Sequence, residues 1–174
     1  MANILILFTS LILSIGNPSA NMKEELQENK VTTYYLIRHA EKDRTQAGNR
    51  DPELNTEGLK RAQKWAEVLK DVDFDAIYST NYKRTKQTAK PLAELNELEV
   101  LGYDPRNLYD EDFKKATSGK TVLVVGHSNT TPHFANAILG EKRYQDIDDK
   151  ENGALFIVQV QPDGSATCQV LYIN

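Results

Sequence analysis

The chain is poor in the residues that build metal centres and disulfides. One cysteine, Cys168, stands among 174 residues, so no intramolecular disulfide can form. No Cys/His cluster has zinc spacing, and Cys168 reads as a small residue in a C-terminal strand. Basic charge is also short: 21 Lys and Arg against 25 Asp and Glu leave a formal net charge of −4. That balance argues against a nucleic-acid partner, whose usual footprint is a basic patch. Internal repeats and low-complexity segments are missing too. Histidine is scarce, at three residues, yet two of them, His39 and His127, stand one residue beyond the end of an apolar run. The hydrophobic fraction of 40% and charged fraction of 26% are ordinary for a globular protein, and the length suits one domain with a sizeable core.

The first 22 residues have no charged side chain. Ile4 to Ile15 is nearly all apolar, with Thr9, Ser10 and Ser14 as mild interruptions. Such a run is too short to cross a bilayer comfortably as a helix. It fits the apolar region of a secretory signal, with Pro18-Ser19-Ala20 as the cleavage site, although no Lys or Arg precedes it. The expectation is a signal peptide over residues 1–20, a polar leader over 21–30 and one domain over 31–174. The mature protein would be periplasmic or secreted, with no stable membrane anchor after cleavage. The competing expectation is an uncleaved anchor or a buried N-terminal helix. A lipoprotein anchor has no support, because no cysteine lies near the cut.

Downstream, apolar runs alternate with helical periodicity. Val31 to Ile37, Phe74 to Tyr78 and Thr121 to Val125 read as buried strands. Leu98 to Tyr103 reads as a short strand, with a weak helix after it to Ala116. Between the first two strands, Asn55 or Thr56 caps a helix whose apolar face is Leu59, Ala62, Trp65, Ala66 and Leu69. Ser79, Thr80 and Asn81 are expected to cap a second helix running past Arg84 and Thr88 to Leu95, interrupted by Pro91. Asn129 to Leu139 is a further helix, with Pro132 in its first turn and Gly140 just past its end. Ala154 to Val160 and Ala166 to Ile173 flank the turn Gln161-Pro162-Asp163-Gly164 and read as a hairpin. The alternation predicts an α/β three-layer sandwich, a mostly parallel sheet flanked by helices and ending in an antiparallel hairpin.

Two buried strands each deliver a histidine at the C-terminal end, where ligands bind in open parallel sheets. Arg38 precedes His39, and Arg84 lies in the first turn after the second strand. Two guanidinium groups and two imidazoles suit a dianionic ligand, because arginine offers forked contacts to phosphate oxygens. The helix starts after His127 and after Ser79 to Asn81 would add backbone donors. A neutral imidazole can attack phosphorus and form a phosphohistidine that water then hydrolyses. His39, at the mouth of its strand, reads as the nucleophile. His127, at a helix start, reads as the oxygen binder.

Four stretches carry a resemblance. Tyr35-Leu36-Ile37-Arg38-His39-Ala40-Glu41 resembles the R-H-G signature of the histidine phosphatase superfamily, the phosphoglycerate-mutase-like group (branch 1). Leu54 to Gly58 is similar to its L-T-x-x-G helix start. Tyr78 to Ala89 is similar to its Y-S-S-x-x-x-R-x-x-Q-T-A block, and Val125-Gly126-His127-Ser128 to its G-H block. The chain looks like the short single-domain bacterial members. The resemblance implies a phosphoglycerate mutase-like fold, phosphorylation of His39 and a phosphate pocket of Arg38, Arg84 and His127. It implies no metal and no cofactor. Ala40 departs from the usual glycine and can serve there only with a negative φ or at the cost of backbone strain. Asn55 replaces the usual threonine, and both cap helices.

Family enzymes often use an acid from between the second arginine and the second histidine. Here Glu94, Glu97, Glu99, Asp104, Asp110, Glu111 and Asp112 are available, and no motif selects one. Asp104 and the 110–112 run sit nearest to suitable loop positions, though the run reads first as a solvated helix face. Glu41 reads as structural, bonding a backbone group or an arginine. His133 and Trp65 read as structural, Lys83 and Lys86 as surface. The expectation is a metal-independent phosphatase acting on a phosphorylated small molecule or protein, either a phosphomonoester or phosphohistidine. The alternatives are a non-catalytic phosphate- or phosphoprotein-binding module on the same fold, a phosphomutase, which would need a lid to exclude water, or a cytoplasmic phosphohistidine phosphatase.

Overall fold

A computed structural model describes residues 30–173. The signal peptide expected over residues 1–20 and most of the expected leader fall outside the described residues. In chain order the elements are β1 (Thr32–Arg38), α1 (Thr56–Val68), β2 (Ala76–Ser79), α2 (Lys83–Leu95), β3 (Val100–Gly102), α3 (Glu111–Thr117), β4 (Thr121–Gly126), α4 (Thr130–Leu139), β5 (Ala154–Val160) and β6 (Ala166–Tyr172). The six strands form one sheet in the order β3-β2-β4-β1-β5-β6. The first four are mutually parallel, and β5 and β6 run as an antiparallel hairpin. The expected α/β sandwich, a mostly parallel sheet ending in an antiparallel hairpin, is therefore present.

The central strands are apolar at consecutive positions because both sheet faces are covered. Along β4, Leu123 and Val125 face one cluster, with Ile37, Ile77, Trp65, Ala89 and Leu92. Val122 and Val124 face the other, with Tyr34, Leu36, Phe134 and Ile138. This is the period of two that a pleated strand imposes. Thus α1 and α2 cover one face, and α3 and α4 the other. Asn55 caps α1 as expected, its Oδ1 accepting from Gly58 N–H at 2.8 Å. Gly140 sits past α4 with φ +68°.

Three readings are corrected. Leu59 is 51% exposed and does not belong to the buried face of α1. Ser79, Thr80 and Asn81 do not cap α2, whose N-cap is Tyr82 with no side-chain hydrogen bond of its own. The first turn is served from a distance instead, with Asp51 Oδ1 accepting from Lys83 N–H at 2.9 Å. Pro91 does not interrupt α2, which continues through it to Leu95.

Candidate active site

Sheet register assembles the site. Arg38, the last residue of β1, pairs with Gly126, the last of β4, so His39 and His127 leave neighbouring parallel strands side by side. The His39 N–H donates to the Gly126 carbonyl at 2.9 Å. The two rings lie 5.4 Å apart between centroids, with planes inclined at 69°. Gly126 is required here: a Cβ would come within 2.7 Å of Thr130 Oγ1 and 2.9 Å of Thr131 Oγ1. A third strand end arrives because Ser79 of β2 pairs with Val125. Arg84 then reaches back from the first turn of α2, its Nη2 3.5 Å from His127 Nδ1. Arg38, His39, Arg84 and His127 thus meet at the C-terminal edge of the parallel strands, where such sheets bind ligands.

His39 is 4% exposed. Its Nδ1 lies 2.7 Å from the Ala40 carbonyl oxygen. A carbonyl only accepts, so Nδ1 carries the proton and Nε2 keeps its lone pair. Burial, aided by the Arg38 and Arg84 charges and partly offset by the Ala40 bond, pushes the ring's pKa down to about 3. The imidazole is therefore neutral at pH 7, and Nε2 is a nucleophile without prior deprotonation. Burial and the charges of Arg84, Arg38 and Lys42 likewise bring His127 down to about 4. Its Nε2 lies 3.0 Å from the Thr80 hydroxyl, which itself donates to Thr85 Oγ1 at 3.0 Å. His127 Nε2 is thus the donor to Thr80, and its Nδ1 lone pair faces Arg84.

Arg38 is 2% exposed and is gripped by the loop before β5. Its Nη1 donates to the carbonyls of Asp148 at 2.8 Å and Glu151 at 2.9 Å, and its Nη2 to Asp149 Oδ1 at 2.8 Å. Nε remains buried with no hydrogen-bond partner among the described residues, and the same holds for Nε of Arg84. The Arg84 guanidinium stacks on Tyr82, with Cζ 4.4 Å from the ring centroid. Unpaired buried donors are costly, and two of them beside two neutral imidazoles suit an oxyanion.

The remaining motif residues hold this arrangement in place. Ala40 is not among the residues with positive φ, so the requirement set by its departure from glycine is met. Its methyl packs with Leu54 and Ala62, and its N–H donates to Thr88 Oγ1 at 2.9 Å. Gln87 Oε1 accepts from Leu54 N–H at 2.8 Å. Gly58 lets α1 approach the site loop, since a Cβ there would lie 2.1 Å from the Glu41 carbonyl oxygen. Glu41 is structural as expected, Oε1 accepting from Arg61 Nε at 2.7 Å.

Sequence reasoning missed three contributors. Thr80 orients His127, Tyr82 packs on both His127 and Arg84, and buried Asn152 donates to the His39 carbonyl at 2.9 Å. Thr80 and Tyr82 lay inside a block already singled out; Asn152 had no local signal. Several candidate acids are engaged elsewhere. Asp104 is bound by Arg106 at 2.9 Å through both carboxylate oxygens, and Asp110 caps α3. Glu111 pairs with Lys114. A cavity of about 720 Å³ opens beside His39, lined by Arg38, Lys42, Arg44, Asp149 and Asn152 among others.

Fold and site together define a phosphoglycerate mutase-like α/β protein with a two-histidine, two-arginine crevice. Residues 34–105 match the family model of the histidine phosphatase superfamily (branch 1), and over that stretch the chain is similar to that family. It is 40% identical over 73 residues to phosphoserine phosphatase 1 of Hydrogenobacter thermophilus, covering 40% of this chain and 35% of the relative. It is 26% identical over 129 residues to the uncharacterized phosphatase PhoE of Bacillus subtilis, covering 72% of this chain and 63% of the relative. The matches thus span less than two thirds of either relative's length. Among solved structures, phosphoglycerate mutase from Bacillus anthracis superposes with a TM-score of 0.64 at 16% identity, over 84% of this chain and 95% of that one. That likeness carries the fold alone.

Proposed function

We propose that this chain is a metal-independent phosphatase that hydrolyses phosphomonoesters or phosphohistidine through a phosphohistidine on His39. The observation that carries the reading is the pair of neutral imidazoles 5.4 Å apart, with the Arg84 guanidinium 3.5 Å from His127 and Arg38 adjoining His39 at the end of β1. His39 Nε2 attacks phosphorus, and the bond to the leaving oxygen breaks. The guanidinium groups stabilise charge on the non-bridging oxygens. His127, protonated once a dianion lies beside it, donates to one of those oxygens. Water then attacks the phosphohistidine, releasing orthophosphate and restoring His39. The phosphatase names of the curated relatives support the same reaction class.

Hydrolysis of p-nitrophenyl phosphate in excess EDTA tests this, with His39→Ala as control. Turnover should survive the chelator and fall at least about a thousandfold in the variant, the scale seen when a nucleophile is removed. An acid-labile phosphoenzyme should be trapped on His39. Activity abolished by EDTA would refute the metal-free route. The charge-free apolar run at the N-terminus supports a further part of the proposal, a signal peptide over residues 1–20 and a periplasmic or secreted enzyme. N-terminal sequencing of the exported protein tests that part.

A further inference from the structure

Phosphoryl transfer from an alcohol requires a proton for the departing alkoxide, and the carboxylates lining the cavity are poorly placed to give one. Glu41 is paired with Arg61 at 2.7 Å through Oε1, and its Oε2 is buried without a hydrogen-bond partner among the described residues. Asp149 bridges two cations, accepting from Arg38 at 2.8 Å and Arg44 at 2.6 Å. Against a burial that would raise it, those arginines hold the Asp149 carboxyl below its usual range. Asp43 accepts from Thr45 N–H at 2.8 Å, and the bonds to Thr45 keep its carboxyl low as well. A carboxyl held ionised has no proton to donate.

Lys42 differs from its neighbours. It lines the same cavity as His39 and forms no ion pair among the described residues. Its charge interacts with those of Arg44, Arg84, Asp149 and Arg38 and is felt by His127, so it stands within the charged cluster around the two histidines. Its backbone is pinned. Lys42 bridges Leu54 in antiparallel fashion, and on either side Asp43 N–H donates to Glu53 at 2.8 Å and Asn55 N–H to Glu41 at 2.9 Å. Lys150 also lines the cavity but is exposed, and Arg44 is committed to Asp149.

We propose that Lys42 is the catalytic proton donor to the leaving oxygen, and that the substrates accordingly include phosphate monoesters of alkyl alcohols. The proposal rests on the phosphatase reading. As His39 Nε2 forms its bond to phosphorus, the P–O pair departs with the leaving oxygen, which takes a proton from Lys42 Nζ. The neutral amine then takes a proton from the water that attacks the phosphohistidine, so the cycle closes with alcohol and orthophosphate as products. Burial, together with the Arg44 and Arg84 charges and against the opposing pull of Asp149, lowers the Lys42 ammonium from its ordinary value, which eases that release.

The test compares β-glycerol phosphate, whose leaving group is a strongly basic alkoxide, with p-nitrophenyl phosphate, whose leaving group needs no proton. Lys42→Met should lower kcat/KM on the alkyl ester by about 10²–10⁴-fold, the usual range for a general acid. The aryl ester should lose far less, and its turnover reports that the variant is folded. Lys42→Arg keeps the charge but does not release its proton, and should show the same selective loss. Equal losses on both esters in Lys42→Met, or recovery of alkyl turnover in Lys42→Arg, would overturn the assignment and leave charge as the role. Wild type that cleaves the aryl but not the alkyl ester would overturn it while the phosphatase reading stands. Turnover of neither ester would sink both.

Discussion

His39 and His127 are held neutral by the burial that makes them useful, and this has a cost at low pH. Their folded-state values, about 3 and about 4, lie below the unfolded value of about 6.5. Between those limits the unfolded chain binds more protons than the folded one, so stability rises with pH through that window. The contribution is complete above about pH 6.5 and is lost as pH falls towards 3. At about 1.4 kcal/mol per unit, the two rings together imply a loss of several kcal/mol between pH 7 and 4. Thermal unfolding across that range measures it. His39→Gln should flatten the acid limb of Tm against pH; a curve that only shifts in parallel would show that His39 does not carry the effect.

At the scale of elements, the contact between α1 and the site loop sets where Lys42 and Glu41 stand. Two substitutions at the start of α1 separate capping from close approach. Asn55→Ala removes one side-chain bond to Gly58 N–H and should cost about 1 kcal/mol, the usual value of an N-cap. Gly58→Ala brings a methyl to 2.1 Å from the Glu41 carbonyl oxygen. Both atoms belong to backbone, so either the helix or the loop must move, at about 1–3 kcal/mol or more. Urea unfolding should rank Gly58→Ala as the more damaging, and because it disturbs the contact that holds residues 41–43 it should also depress phosphatase turnover. A Gly58→Ala protein as stable as wild type would contradict the packing described.

For the whole molecule, an oxyanion that bonds the Arg38 and Arg84 Nε groups binds only the folded state. Such a ligand stabilises by RT ln(1 + [L]/Kd), about 2.7 kcal/mol at a hundredfold excess over Kd. Orthophosphate should therefore raise Tm in a concentration-dependent way. The rise should shrink in Arg84→Ala, whose guanidinium stacks on Tyr82 and faces His127. An unchanged Tm up to high phosphate would argue against the crevice as an anion site. The loop at 148–151 belongs to this scale as well, since Arg38 ties it to the end of β1 across more than a hundred residues of sequence.

The sequence by itself determined the layered α/β fold, the three central strands and the four residues that meet in the crevice. Apolar runs long enough to be covered on both faces can form only interior strands, and such strands end in polar residues where they leave the core. It also exposed Gly58, Gln87 and Thr88 as parts of ordered blocks, without their purpose. Only the tertiary structure decided the rest. Capping of α2 by Asp51, the bond from Asn152 to the His39 carbonyl and the grip of the 148–151 loop on Arg38 are all contacts between segments distant in sequence. Leu59 shows the same limit from the other side, since helical spacing identifies a face but not how far the sheet extends beneath it. Periodicity records burial against a core; it does not record which loop closes over which side chain, because that depends on three-dimensional approach rather than on local pattern.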